Sequence, residues 1–206
     1  MSTRLILIRH GNTFGPGDKV VWCGARTDLP LVESGRAQAE ALGRHFAEIG
    51  QSCDAVIAGP LLRTRQHARI IKDKIGYARN IRIDERLREI NYGPWEALST
   101  QEIIALGGAA ELDAWDKHAK WPQSPGWYPE EAQIKQDITQ FLEESVAQYE
   151  GKTLFIVSSN GLMRFFARLA ENPRAASDLK VRTGHYCQMS WQDGAWHIDD
   201  WNRAPV

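Results

Sequence analysis

The sequence predicts a three-layer α/β/α sandwich built on a mostly parallel β-sheet. Two observations indicate this α/β class. Apolar strand-like runs alternate with helical patterns through most of the chain, and each run is apolar at consecutive positions. Strands buried on both faces of a helix-covered sheet have this character. The length of 206 residues fits one domain, which we expect to span residues 1–206.

The individual elements follow from local pattern and from turn residues. Strands are predicted at residues 4–8, 54–58, 81–83 and 153–157, and helices at residues 34–49, 61–74, 131–149 and 162–170. A hairpin is predicted from residues 186–191 and 196–198, with its turn at Asp193-Gly194.

Residues 91–130 form the least regular stretch, which we expect to be an insertion over the site with some helix near residues 100–106. The stretch contains Trp95, Trp115, Trp121 and Trp127. These rings either line a pocket for an apolar or ring-containing leaving group, or pack an insertion that is short of aliphatic residues. Packing is the default interpretation of an aromatic cluster.

Composition excludes several classes of protein. The 25 Lys and Arg residues balance 26 Asp and Glu residues, which excludes a broadly basic nucleic-acid binder. No apolar run approaches the roughly 18 residues that span a membrane. The three cysteines form no CxxC pair, so neither a disulfide framework nor a zinc site is expected. We therefore predict a cytoplasmic protein without nucleic-acid or membrane partners.

Polar residues follow three of the predicted strands. Arg9-His10-Gly11 follows the first strand, Arg63 lies shortly after the second, and Ser158-Ser159-Asn160-Gly161 follows the fourth. Ligands of open α/β sheets bind beyond the carboxyl ends of strands. Two guanidinium groups and flanking helix N-termini favour a phosphate ester there.

His10 is the candidate nucleophile. A neutral imidazole nitrogen attacks phosphorus and holds the phosphoryl group covalently, and the charge of neighbouring Arg9 disfavours the imidazolium form. A carboxylic acid usually protonates the leaving alkoxide, and Glu89 is the leading candidate because it follows the third strand. Glu85 and Glu96 are the competing carboxyl groups.

Two further assignments leave alternatives open. Arg63 is either a phosphate ligand or one of several solvated helix arginines, with Arg65 and Arg69 beside it. Asn12 either donates to a phosphate oxygen or satisfies the backbone of its turn.

The motifs together resemble the histidine phosphatase superfamily, phosphoglycerate-mutase-like group. The resemblance spans Leu5 to about Arg164 and rests mainly on three segments: Leu7-Ile8-Arg9-His10-Gly11-Asn12-Thr13, residues 59–68, and Leu87-Arg88-Glu89 with Gly93-Pro94-Trp95-Glu96. The third segment is similar to the phosphatase branch. The resemblance implies a phosphohistidine on His10, phosphate binding by Arg9 and Arg63, and Glu89 as proton donor. It also implies a small phosphorylated metabolite as substrate and no metal or organic cofactor.

One position departs from that family's pattern. Counting back from Arg164 places Ser159 where the family normally has a second catalytic histidine. Losing one preorganised donor costs about 10²–10³ in rate by analogy with an oxyanion hole. Ser159 still offers a hydroxyl to the phosphate, and His67 or His185 are the imidazoles that would compensate.

The sequence thus favours a phosphomonoester hydrolase acting through His10. The alternative is a non-catalytic or weakly active phospho-ligand-binding member, motivated by Ser159. A phosphoglycerate mutase is less favoured, because the insertion offers only the scattered cations of Lys117, His118 and Lys120. The sequence leaves the physiological substrate and the oligomeric state open.

Overall fold

The computed structural model describes residues 2–175 and 178–206, which contain a six-stranded sheet with helices on both faces. The strands are β1 (Arg4–Arg9), β2 (Ala55–Ala58), β3 (Arg82–Ile83), β4 (Thr153–Ser158), β5 (Tyr186–Gln192) and β6 (Ala195–Arg203). The helices are α1 (Glu33–Glu48), α2 (Leu62–Lys74), α3 (Thr100–Ala105), α4 (Ala109–His118), α5 (Glu131–Gln148) and α6 (Asn160–Arg168). None of the helices within these ranges is long and apolar enough to cross a membrane.

The sheet runs in the order β3-β2-β4-β1-β5-β6. The four strands from β3 to β1 are parallel, and the β5–β6 hairpin adds two antiparallel strands at the β1 edge. The predicted mostly parallel sheet is confirmed. In the central pair, Arg9 of β1 lies opposite Ser158 of β4, so the segments that follow both strands leave the sheet side by side.

Alternate side chains of the central strands pack into two cores, one on each face of the sheet. Ile6 and Ile8 of β1 pack with α1 and α2, through residues such as Leu42 and Ile71. Leu5 and Leu7 pack on the opposite face with α5, α6 and the insertion. Successive side chains of a strand point to opposite faces of the sheet, so helices pack on both faces. The sheet and the helices on its two faces are the three layers.

The insertion is more ordered than the sequence predicts. It contains α3 at the expected place and also α4, which was not predicted, because the glycines at 107 and 108 indicated a loop. Gly107 ends α3 with a φ of 89°, and α4 begins directly afterwards and buries Leu112 and Trp115. All four tryptophans of the insertion are at most 7% exposed, which favours the packing interpretation for Trp95, Trp121 and Trp127, whereas Trp115 also lines the cavity described below.

Candidate active site

A cavity of about 470 Å³ lies where β1 and β4 end. Arg9 and His10 line it from the end of β1, Asn160 from the first position of α6, and Glu89 from the segment after β3. The His10 amide donates to the Ser158 carbonyl at 3.1 Å, which continues the β1–β4 pairing by one residue. The sheet register therefore determines that these groups meet.

The His10 ring is buried and held in one neutral tautomer. Its Nδ1 lies 2.8 Å from the Gly11 carbonyl oxygen, which only accepts, so Nδ1 carries the proton and Nε2 keeps its lone pair. Burial, followed by the charges of Arg63 and Arg9, holds the pKa of His10 well below 6.5. Nε2 is consequently a free nucleophile at neutral pH.

Backbone carbonyls hold both predicted arginines in place. Arg9 donates from Nη1 to the Val181 carbonyl at 2.5 Å. Arg63 is completely buried, and its Nη groups donate to the carbonyls of Cys23, Gly24 and Thr27 at 3.3, 3.1 and 2.6 Å. Arg9 lines the cavity, whereas the buried Arg63 is not part of its lining and acts on His10 through its charge.

The Glu89 carboxyl group is 5% exposed and points at the first turn of α6. The Gly161 amide donates to Oε2 at 3.2 Å and the Ile90 amide to Oε1 at 3.0 Å. Burial raises the pKa of Glu89 against the opposing effect of those two amides and of Arg63 and Arg9. The protonated, proton-donating form is thereby favoured.

The two competing carboxyl groups lie elsewhere. Glu85 is exposed and pairs with Arg88 at 2.7 Å. Glu96 is buried, but it accepts from the Thr27 hydroxyl at 2.8 Å and pairs with Arg26 at 3.4 Å. Neither residue lines the cavity.

Asn12 lines the cavity and also organises its wall. Its Oδ1 accepts from the Thr183 hydroxyl at 2.6 Å, and its Nδ2 lies 3.3 Å from the Ser34 hydroxyl. Both interpretations of Asn12 therefore remain compatible with its position.

Ser159 is buried at the position before α6, beneath the cavity surface rather than on it. Its hydroxyl has no hydrogen-bond partner in the described part of the chain. The next residue, Asn160, lines the cavity and accepts the Val181 amide at 2.9 Å.

Neither of the two candidate compensating histidines lines the cavity. His67 is fully buried, its Nδ1 accepts the Gly11 amide at 3.0 Å, and burial lowers its pKa to about 3. His185 lies with Nδ1 3.0 Å from the Asn202 carbonyl oxygen. His67 thus supports the turn that carries His10, as a neutral ring.

Sequence reasoning did not assign a role to Arg164 or Tyr92, which both line the cavity. Tyr92 hydrogen-bonds Glu89. Arg164 is 1% exposed and stacks 4.6 Å above the Trp115 ring. The available signal was an arginine inside the apolar run Leu162 to Phe166, on the buried face of α6.

No group of three or more His, Cys, Asp or Glu side chains suited to a metal ion occurs within residues 2–175 and 178–206. Cys23 lines the cavity, but burial raises the pKa of its thiol to about 11, so it is protonated near neutral pH.

Comparison with known proteins places this arrangement in a family. The family model for the histidine phosphatase superfamily (branch 1) matches residues 5–204. The chain belongs to this superfamily. Phosphatases and probable mutases both occur among its relatives in the superfamily.

Curated superfamily relatives are moderately similar to the chain. A probable phosphoglycerate mutase from Erwinia tasmaniensis is 27% identical, over 96% of this chain and 89% of the relative. A glucosyl-3-phosphoglycerate phosphatase from Mycolicibacterium vanbaalenii is 30% identical, over 60% of this chain and 52% of its own.

Solved superfamily structures share the whole fold. A protein described as mycobacterial hydrolase 1 has a TM-score of 0.84 and 25% identity, covering 99% of this chain and 100% of its own. A mycobacterial glucosyl-3-phosphoglycerate phosphatase complexed with VO3 has a TM-score of 0.79 and 25% identity, covering 98% and 99% of the two chains.

Proposed function

We propose that the protein is a phosphomonoester hydrolase that acts through a phosphohistidine on Nε2 of His10. The observation that carries this proposal is a neutral imidazole with a free Nε2, in one cavity with a carboxyl group whose pKa is raised. A nucleophile needs the neutral imidazole, and a raised pKa favours the protonated carboxyl group that a general acid needs.

In the first step, the His10 Nε2 lone pair forms a bond to phosphorus while the ester P–O bond breaks. Glu89 gives its proton to the departing alkoxide, which leaves as the alcohol. The Glu89 carboxylate that remains is stabilised by the Gly161 and Ile90 amides.

In the second step, water attacks the phosphohistidine. Glu89 takes a proton from the water, a new P–O bond forms and the N–P bond breaks. Inorganic phosphate leaves, His10 returns to its neutral form with the proton still on Nδ1, and Glu89 is protonated again. Each group ends the cycle as it began.

We assign phosphate binding to Arg9 and Asn12, which line the cavity, and a supporting role in it to the buried Arg63 and Ser159, which do not. Arg9 and Arg63 supply the positive charge, since both lower the pKa of His10 and therefore lie close to it. Ser159 precedes α6, and the partial positive charge of this helix N-terminus also favours an anion. The names of the phosphatase relatives support a small phosphorylated substrate.

The test uses His10→Ala with His185→Ala as the matched control, because His185 lies outside the cavity. Wild type and the control should hydrolyse p-nitrophenyl phosphate and incorporate acid-labile label from a ³²P-phosphorylated substrate. His10→Ala should do neither. Hydrolysis retained by His10→Ala would exclude this mechanism.

The buried, unpartnered hydroxyl of Ser159 favours a second candidate, a phospho-ligand-binding protein with little or no turnover. This candidate predicts that wild type binds vanadate without hydrolysing aryl phosphates, and that Ser159→His creates activity. Ordinary enzymatic rates in wild type would reject it.

The mutase relative motivates a parallel coupled assay with 3-phosphoglycerate and its bisphosphate primer. Formation of the mutase product in this assay would replace the phosphatase assignment.

A further inference from the structure

We propose that the side-chain amide of Asn160 is a further catalytic group, which donates hydrogen bonds to the oxygens of the transferring phosphoryl group. The inference rests on the proposed phosphatase function and adds a residue to its reaction centre. Asn160 is the first residue of α6 and lines the same cavity as His10 and Arg9.

A backbone contact fixes the orientation of the Asn160 amide. Its Oδ1 lies 2.9 Å from the Val181 backbone nitrogen, which only donates, so the oxygen faces Val181 and the NH2 group points away from it. This is the single hydrogen bond of the Asn160 side chain within residues 2–175 and 178–206. Both N–H donors of the NH2 group therefore stay free for a ligand in the cavity.

Val181 also holds the Arg9 guanidinium. Its carbonyl oxygen accepts from Arg9 Nη1 at 2.5 Å, while its amide donates to Asn160. Val181 is 0% exposed, so a closely packed backbone supports both side chains. One buried residue thus places a charged and a neutral donor in the cavity before any ligand binds, and preorganised donors of this kind stabilise developing charge.

Among the residues that begin α6, Asn160 has the side-chain donor that a ligand can reach. Ser159 precedes the helix, but its hydroxyl is buried and the residue does not line the cavity. The amide of Gly161 donates to the Glu89 carboxyl group at 3.2 Å and is therefore already used. The start of α6 consequently contacts a phosphoryl group through the Asn160 NH2 group.

The reaction needs a donor on this side of the cavity, and a neutral one. A phosphoryl group in transfer spreads its charge over three equatorial oxygens, and Arg9 and Asn12 approach it from the end of β1. A further cation beside Gly161 would favour the ionised form of Glu89 and so weaken it as an acid. A carboxamide stabilises the phosphoryl oxygens without that effect.

The first variant to test is Asn160→Asp, which keeps an oxygen for the Val181 amide but replaces the NH2 group with an acceptor. Its kcat/KM for p-nitrophenyl phosphate and its affinity for vanadate should both fall by about 10²–10³ or more, the cost of losing one oxyanion-hole donor. An acidic residue in the first turn of a helix stabilises that helix, so the fold should be kept. Asn160→Ala removes the donor without adding a charge and should show losses of about 10²–10³ on both measurements.

The matched controls are Asn202→Asp and Asn202→Ala. Asn202 is half-buried like Asn160, its Oδ1 accepts the neighbouring amide of Arg182 at 2.8 Å, and it does not line the cavity. These variants repeat the changes in charge and in backbone capping, and they should keep the wild-type kcat/KM and vanadate affinity. Losses in a folded Asn160 variant that are no larger than those of its control would overturn the inference.

Vanadate calorimetry separates this inference from the proposed function, because it measures binding without turnover. Weaker vanadate binding by the folded Asn160 variants than by their controls supports the contact even if no hydrolysis is found. Equal binding, or no binding by wild type, rejects the contact even if hydrolysis is confirmed. A loss of vanadate affinity with unchanged kcat/KM would also reject it, because a donor to the transferring group must affect both.

Discussion

A single methyl group at Gly161 should displace the proton donor. A Cβ at this position would lie 2.3 Å from Glu89 Oε1, and 2.9 Å from both the Ile90 Cδ1 and the Tyr92 hydroxyl. The Gly161 backbone has an ordinary conformation and its amide is retained, so the effects of Gly161→Ala come from these three close contacts, of which the one with Glu89 is the shortest. The Glu89 carboxyl group must move.

The required movement sets the size of the effect. Glu89 Oε1 must shift by about 0.7 Å merely to reach 3.0 Å, the shortest separation that real Cβ atoms tolerate. Misplacing a catalytic group by about 1 Å costs about 10²-fold in rate. Overpacking also lowers the free energy of unfolding by about 1–3 kcal/mol.

Comparing two substrates with different leaving groups separates the loss of proton donation from the loss of stability. Gly161→Ala should lower kcat about 10²-fold for β-glycerophosphate, whose alkoxide needs the proton, and much less for p-nitrophenyl phosphate. Gly43→Ala is the control for simple crowding, because its Cβ would lie 2.7 Å from Lys74 at the α1–α2 contact. Equal losses on both substrates, or none in a folded variant, would refute the role given to Glu89.

Three further predictions concern protonation. Activity needs neutral His10 and protonated Glu89. With increasing pH, kcat/KM should therefore rise as His10 loses its proton at a pKa below 6.5 and fall as Glu89 loses its proton at a pKa above 4.5. Glu89→Gln should remove the fall on the alkaline side. Because His67 titrates near 3 in the folded chain but near 6.5 when unfolded, unfolded chains bind the extra proton between these values. Urea unfolding should therefore show stability falling as pH drops from 6.5 to 3. His67→Gln, which keeps an acceptor for the Gly11 amide, should reduce that slope, and His10, whose pKa is also lowered, should supply the remainder. With its thiol pKa near 11, Cys23 should resist iodoacetamide at pH 7, and rapid alkylation followed by mass spectrometry would contradict this.

Local pattern was sufficient for most elements of the fold. Continuous apolar runs predicted β1, β2 and β4, and the apolar face of α1 was visible at its 3.6-residue spacing. Helix α4 was missed because two glycines precede it, although Leu112 and Trp115, three residues apart among good helix formers, carried a helical signal.

The site was predictable where its residues are local to strand ends. Arg9 ends β1, His10 and Asn12 come within three residues after it, and all three line the cavity. Arg164 was the main omission among the lining residues, because its position on the buried face of α6 becomes clear only by contrast with exposed Arg168.

Contacts between distant segments had no signal in the sequence. The Gly11 amide donates to His67, 56 residues along the chain, and the Gly161 amide donates to Glu89 across 72 residues. Such pairings depend on how α2 and α6 pack against the turns, which composition and periodicity do not determine.

The anchoring of Arg63 restricts how the specificity of this scaffold can be redesigned. One guanidinium fastens the backbone at residues 23–27 and at the same time sets the electrostatics of His10. A grafted loop that alters the side chains at positions 14–22 but keeps the three carbonyls in place would change what is recognised and spare the reaction centre. A graft that shifts those carbonyls would displace the Arg63 guanidinium, and would therefore change the pKa of His10 as well as substrate recognition.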